Sequence, residues 1–193
     1  MKLSVIICVW NQEDLIKRAL DSIPKREDIE IIVVDDGSTD NTLKNLKAYP
    51  NITVISLPEN NGIGHARNIG LENAHGEYVH FLDSDDYLYT DEYLKVLDLL
   101  DADIVYINLK KNDGTVLYLT KATQGLWCGM IARFIRKEFL KGHRFREVRF
   151  AEDYFLNNEL QEIPHTDRFT NITAYHYNHP RKGSLCNTQG RNE

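Results

Sequence analysis

The sequence predicts an α/β fold: a mostly parallel sheet flanked by helices over its first half, followed by a mixed α+β second half. Three observations carry this. Short apolar, β-branched runs alternate with helical patterns up to residue 108, the rhythm of βαβ units joined by right-handed crossovers. The runs are apolar on successive residues, as strands covered on both faces are. Past Asn108 the rhythm breaks, and a hairpin, two helical patterns and a last strand follow.

The elements follow in order. Leu3–Val9 is a buried strand. Leu15, Ile16, Ala19, Leu20 and Ile23 form the apolar stripe of a helix closed by Pro24. Ile29–Val34 is a second strand. Asp40 caps a short helix bearing Leu43, Leu46 and Lys47, which Pro50 stops. Ile52–Leu57 is a strand, Ile63–Ala74 a helix and Tyr78–Leu82 a strand; a helix follows with Tyr93, Leu94, Leu97 and Leu100 on its apolar side, then a strand over Ile104–Leu109. Thr115–Thr120, after the Asn112-Asp113-Gly114 turn, is expected to pair back as a hairpin. Helices are expected over Gly129–Leu140 and Glu152–Glu162, and a strand over Ile172–Tyr177. Residues 1–185 read as one domain and 186–193 as a tail.

Composition narrows the function. A formal charge of −6 argues against a dedicated nucleic-acid binder. No apolar run reaches the roughly 18–20 residues that span a bilayer. Met1-Lys2-Leu3-Ser4 leads into an apolar stretch with no small-residue cleavage site, so no signal peptide is expected. Cys8, Cys128 and Cys186 are widely spaced and lack a CxxC pair, which disfavours structural zinc and a disulfide framework and fits a reducing cytoplasm.

In an open parallel sheet, ligands bind outside the carboxyl ends of the strands. There the first strand ends in Cys8-Val9-Trp10-Asn11, the second in Asp35-Asp36-Gly37-Ser38 and the fourth in Asp83-Ser84-Asp85-Asp86. No glycine-rich phosphate loop follows the first strand, and Gly62-Ile63-Gly64 is a weak match because Arg67 replaces a third glycine. Three carboxylates in four residues repel one another unless a cation sits among them. Mg²⁺ or Mn²⁺ prefers such oxygen ligands and shares its other positions with phosphate oxygens. A solvated acidic turn capping the next helix is the plainer alternative. One carboxylate of Asp35-Asp36 would accept the imide N–H of a uracil or thymine ring lying against Trp10; a turn with a cap is again the alternative.

These segments, with Asn61-Gly62-Ile63-Gly64-His65-Ala66-Arg67-Asn68 and Gly76-Glu77-Tyr78-Val79-His80-Phe81-Leu82-Asp83-Ser84-Asp85-Asp86, resemble family 2 glycosyltransferases of the GT-A fold, in order and spacing, across residues 1–90. Phe150-Ala151-Glu152-Asp153-Tyr154-Phe155 is similar to the family's acidic pair. Tyr175-His176-Tyr177 and Arg181-Lys182-Gly183-Ser184-Leu185 are similar to its aromatic strand and basic Gly-Ser segment. The resemblance implies a nucleotide-sugar-binding half over 1–108 and an acceptor-binding half over 109–185. It implies Trp10 stacking on the base, Asp36 binding uracil, Arg67 approaching the nucleotide, Asp83 on the ribose or metal, Asp85 as principal metal ligand and Asp153 as general base. The implied activity is inverting transfer from a nucleotide sugar, expected to be a UDP-sugar, to a glycan or lipid-linked acceptor in surface polysaccharide or glycolipid synthesis, with Mn²⁺ or Mg²⁺. A sugar-nucleotidyltransferase and a non-catalytic nucleotide-sugar-binding module are the alternatives. The former needs a basic glycine-rich loop that Val9-Trp10-Asn11-Gln12 does not supply.

Some residues stay open at this stage. His176 and His179 are candidate diphosphate or metal ligands, or ordinary structural histidines; Arg181 and Lys182 are candidate phosphate clamps. Arg133–Arg149 holds seven basic residues against Glu138 and Glu147, interleaved with Phe134, Ile135, Phe139, Leu140 and Phe145. Read as an amphipathic segment, 133–149 faces either an anionic membrane or lipid diphosphate, at the inner face of the membrane, or solvent.

Overall fold

The computed structural model describes residues 1–123, 129–148 and 151–179. The first four strands, β1 (Leu3–Val9), β2 (Ile29–Asp35), β3 (Thr53–Ser56) and β4 (Tyr78–Phe81), run parallel in the order β3-β2-β1-β4. They are joined by α1 (Ile16–Ser22), α2 (Thr42–Leu46) and α3 (Ile63–Asn73). Their register is continuous, with Leu3–Val9 opposite Ile29–Asp35 and Leu3–Ile6 opposite Tyr78–Phe81. Apolar runs on both faces explain the parallel half: Val5, Ile6, Ile7, Val33 and Val34 are fully buried. From β3 the chain crosses back past β1 to β4, so strand order reverses between β1 and β4. That reversal opens a crevice at the strands' carboxyl ends.

The second half extends the same sheet through β8 (Arg133–Arg136), β6 (Ile104–Lys111), β9 (Asp167–Tyr177) and β5 (Tyr87–Leu88), while β7 (Val116–Leu117) closes the expected hairpin on β6. α4 (Thr90–Leu97) packs on β9, and α5 (Glu152–Gln161) contacts α3. β9 begins five residues before the expected strand and carries a register irregularity against β6. Tyr87–Leu88 was not anticipated; it pairs with His176 and Tyr175 at the sheet's edge.

The helix expected over Gly129–Leu140 is overturned. Met130–Ala132 is a 3₁₀ turn, Arg133–Arg136 a strand between β4 and β6, and Lys137–Leu140 a second 3₁₀ turn. Arg133 is fully buried, as are Phe134 and Ile135. Its guanidinium lies 5.3 Å over the Tyr106 ring and bonds the Asn157 amide oxygen. The basic segment 133–149 therefore does not present one amphipathic face throughout: its first residues are sheet interior, and Arg149 lies outside the described residues. No helix of the described residues is long and apolar enough to cross a membrane. The expected tail, 186–193, and Cys128 also lie outside the described residues.

Candidate functional site

The loops after β1 and β2 are stitched together by side chains with short polar tips. Asn11 has φ +51°, a conformation that asparagine tolerates better than most residues. Its Oδ1 accepts the Thr39 N–H at 2.8 Å, and its own N–H donates to Ser38 Oγ at 2.9 Å. Asp40 does not cap α2 as expected: the N-cap is Asn41, without a side-chain cap bond. Asp40, one residue earlier, accepts the Thr42 N–H at 2.9 Å and the Glu13 N–H at 3.2 Å, tying this turn to the loop after β1. This stitching leaves Trp10 at the crevice mouth with 52% of its surface exposed, unusual for so large an apolar ring.

Asp36 is buried, and its two carboxylate oxygens accept the Asn61 and Gly62 N–H groups at 2.9 Å each. It thereby anchors the turn that opens α3. Each oxygen keeps a second acceptor position, so an imide N–H remains admissible. Gly37 has φ +71°, and a Cβ there would lie 2.5 Å from the Glu59 carbonyl carbon, so only glycine brings the two loops this close.

The acidic loop after β4 brings one oxygen each of Asp83, Asp85 and Asp86 within 4.8 Å of one another. The three are not equivalent. Asp86 is almost fully buried; Tyr175 donates its hydroxyl to one oxygen at 2.6 Å, and the Asn178 N–H donates to the other at 2.7 Å. Burial, with the charges of Asp83 and Asp85, holds its carboxyl well above the usual range. Tyr175 also accepts the Asp83 N–H at 3.1 Å, so β9 ties the loop down from beneath. Asp83 is about a third exposed and is raised to about 6 by burial against the opposing pull of Arg67, with Asp85, Asp153 and Glu152 adding to the rise. An all-oxygen donor set with crowded negative charge suits a hard divalent cation. Asp83 and Asp85 are its fitting ligands, since Asp86 is committed to β9.

Arg67, on α3, lies beneath this loop and is 4% exposed. Its guanidinium bonds Glu152 and reaches Asp83 Oδ1 at 3.3 Å, over the rings of Phe145 and Phe81 at 5.3 and 5.7 Å. Burial alone would lower its pKa, but Asp83 and Glu152 override that and hold it raised. Arg67, which the resemblance brings toward the nucleotide, is held here by Glu152 and Asp83. Glu152 is named in the sequence only as half of the acidic pair, and its bond to Arg67 is what the sequence did not foretell. It lies 85 residues from Arg67, and its only sequence signal was the adjacent Asp153.

Glu152 and Asp153 open α5. Glu152 is buried toward Arg67, whereas Asp153 is half-buried and accepts the Tyr154 N–H at 2.8 Å. Asp153 is near enough that its charge helps to raise both Arg67 and Asp83. Ala151, just before the helix, has φ +61°, a strained conformation for a residue with a Cβ. The Cys8 thiol is pushed up to about 12 by burial, against the pull of Arg67. It stays neutral at this site, which excludes thiolate chemistry.

His176 has both ring nitrogens engaged, with Tyr89 Oη and Asn112 Oδ1 at 2.9 Å each, and stacks on Tyr87 at 4.2 Å. It braces the sheet edge and leaves no lone pair for a metal. His179 stacks on Tyr177 at 5.2 Å, and its backbone follows Asn178, which holds Asp86. Its buried Nδ1 finds no hydrogen-bond partner among the described residues. Arg181 and Lys182 lie outside the described residues. Trp10, Asp36 and the loop bearing Asp83 and Asp85 thus follow the carboxyl ends of the parallel strands β1, β2 and β4. Arg67 joins Asp83 to Glu152, and Asp153 is close enough for its charge to act on both Arg67 and Asp83.

Residues 4–159 match the model of glycosyl transferase family 2. The chain is 45% identical over 104 residues to a poly(ribitol-phosphate) beta-glucosyltransferase of Bacillus spizizenii, covering 49% of this chain and 16% of that one. It is 37% identical over 125 residues to the poly(ribitol-phosphate) beta-N-acetylglucosaminyltransferase TarS of Staphylococcus aureus, covering 59% and 22%. The crystal structure of S. aureus TarS 1–349 in complex with UDP-GlcNAc superposes with a TM-score of 0.84 at 26% identity, over 97% of this chain and 61% of that one. A mannosyltransferase of Pyrobaculum calidifontis, in complex with GDP-Man and Mn²⁺, shares the fold at a TM-score of 0.70 and 19% identity, over 94% and 58%. The chain thus spans about a fifth of the two curated relatives' length.

Proposed function

The chain belongs to glycosyl transferase family 2 and has its GT-A fold, and we propose that it transfers a sugar from a nucleotide-sugar donor, a UDP-sugar, to an acceptor hydroxyl with inversion at the anomeric carbon. The observation that carries this reading is the split between Glu152 and Asp153. One carboxylate is spent on Arg67, and its neighbour is left half-buried, close enough to Asp83 for its charge to act there.

Each residue then has a task. Trp10 offers a π-face for the base, and Asp36 offers acceptor positions to its imide edge. Asp83 and Asp85 would hold a divalent cation, whose chemistry there would be to neutralise charge on the leaving diphosphate. Asp153, in the first turn of α5, takes the proton of the attacking hydroxyl as the new bond forms. Arg67 and Glu152 fix the spacing between the acidic loop and the base. Relatives named for poly(ribitol-phosphate) support a cell-surface polymer as acceptor, and the complex of TarS with UDP-GlcNAc supports a UDP-sugar donor. Mn²⁺ in the mannosyltransferase agrees with the oxygen donor set here.

The test is release of UDP from UDP-GlcNAc and UDP-Glc, with Mn²⁺ and with chelator. The expected result is metal-dependent turnover that Asp153→Asn lowers by about 10²–10⁴-fold while UDP affinity holds. An Asp153→Asn variant with normal turnover would overturn the assignment of the base.

A further inference from the structure

Segment 143–148 runs along the starts of α3 and α5. Its path is set by Gly64, where an added Cβ would meet the Arg146 carbonyl oxygen at 2.4 Å. From this segment the Arg146 guanidinium lies 4.2 Å over the ring of Phe155, which packs edge-on against Tyr154 at 5.8 Å. Tyr154 directly follows Asp153 and is 47% exposed. Val148, at the end of the same segment, is also among the few large apolar side chains exposed on the described surface.

Arg146 differs from its neighbours in how it is held. Arg26, Arg67, Arg136, Arg144 and Arg168 each pair with a carboxylate. Arg146 is exposed and pairs with no carboxylate among the described residues; the Phe155 ring face alone holds it. A guanidinium held over a ring, with no carboxylate partner among the described residues, keeps N–H donors available to the oxygens of a phosphate, which they can match bidentately.

We propose that Arg146 and Tyr154 form the acceptor subsite, in which Arg146 binds a phosphate group of the acceptor while Tyr154 packs against the polyol or sugar carrying the attacked hydroxyl. The acceptor is then an anionic, phosphate-bearing chain rather than a neutral glycan. As an acceptor subsite the assignment rests on the proposed transferase reading; anion binding at Arg146 can be measured without turnover.

The experiment titrates the full chain, with its donor site filled by UDP and Mn²⁺, with bis(glyceryl) phosphate while following arginine side-chain N–H signals by NMR. A second arm uses phosphatidylcholine vesicles with and without a polyprenyl diphosphate, which separates a polymer phosphodiester from a lipid-linked diphosphate. The expected result is binding in one arm that weakens about tenfold in Arg146→Gln, weakens less in Arg146→Lys, and leaves UDP affinity unchanged. Tyr154→Ala weakens the phosphodiester but not inorganic phosphate. Equal affinity of wild type and Arg146→Gln in both arms, or no binding in either, overturns the subsite. Failure of the transferase reading shows up separately, as absence of UDP release.

Discussion

Glu152 and Asp153 adjoin in the sequence yet face different surroundings, because successive residues of a helix point about 100° apart. Glu152 turns inward to a buried arginine and Asp153 outward to the crevice. Their substitutions should therefore fail differently. Asp153→Asn leaves the melting temperature unchanged and removes turnover. Glu152→Gln weakens a buried ion pair and costs about 3 kcal/mol or more of stability, measured by urea unfolding; a Glu152→Gln variant as stable as wild type would remove the brace. The acidic loop divides in the same way. Asp85→Asn should abolish Mn²⁺-dependent binding of UDP at unchanged stability. Asp86→Asn should lower stability by about 1–3 kcal/mol, because Tyr175 and the Asn178 N–H depend on its oxygens. If Asp86→Asn alone lost metal, the assigned ligands would be exchanged.

At the scale of elements, the parallel half was legible because β1, β2 and β4 are apolar on both faces and bounded by turn residues. β8 was not. Ile131, Phe134, Ile135 and Phe139 satisfy helical spacing as well as a short buried run, and periodicity cannot separate the two. The arginines deepened the ambiguity, since Arg133 reads as surface and is buried only because Tyr106 and Asn157 receive it. The site shows the same pattern. Asp83 and Asp85 were visible as a local cluster, but the Arg67–Glu152 pair and the Tyr175–Asp86 bond join residues 85 and 89 apart, which no local signal encodes. Close packing of α3 against segment 143–148 gives a further test. Gly64→Ala should displace that segment and cost about 1–3 kcal/mol; unchanged stability with unchanged turnover would show that the contact yields freely.

Across the whole molecule, one buried cluster runs from Leu3 in β1 to Tyr175 in β9, and His80 sits within it. Its Nε2 donates to the Ile131 carbonyl at 2.9 Å, its Nδ1 accepts from Tyr93 at 2.7 Å, and its ring stacks on Phe134. Burial pushes the imidazole down to about 4, only partly offset by the Ile131 carbonyl. The unfolded chain thus takes up a proton near pH 6.5 that the folded chain refuses until about 4. The stability contributed by the neutral ring is complete above pH 6.5 and is lost as pH falls toward 4, by about 3 kcal/mol over that window. Asp83, raised to about 6, opposes this trend, so the difference between wild type and His80→Gln isolates the histidine. Urea midpoints at pH 7 and pH 5 should separate less in the variant; equal separation would contradict the assignment.

The account depends on one crevice holding a cation between carboxylates and a diphosphate, with the base across from them. Anomalous diffraction from crystals grown with UDP and Mn²⁺ tests this directly. The account predicts a single Mn²⁺ peak bonded to Asp85 and Asp83 and to diphosphate oxygens, with the uracil beside Trp10 and Asp36 and Asp153 facing the open side of the β-phosphate. A Mn²⁺ peak elsewhere, or UDP bound away from this rim, would contradict it.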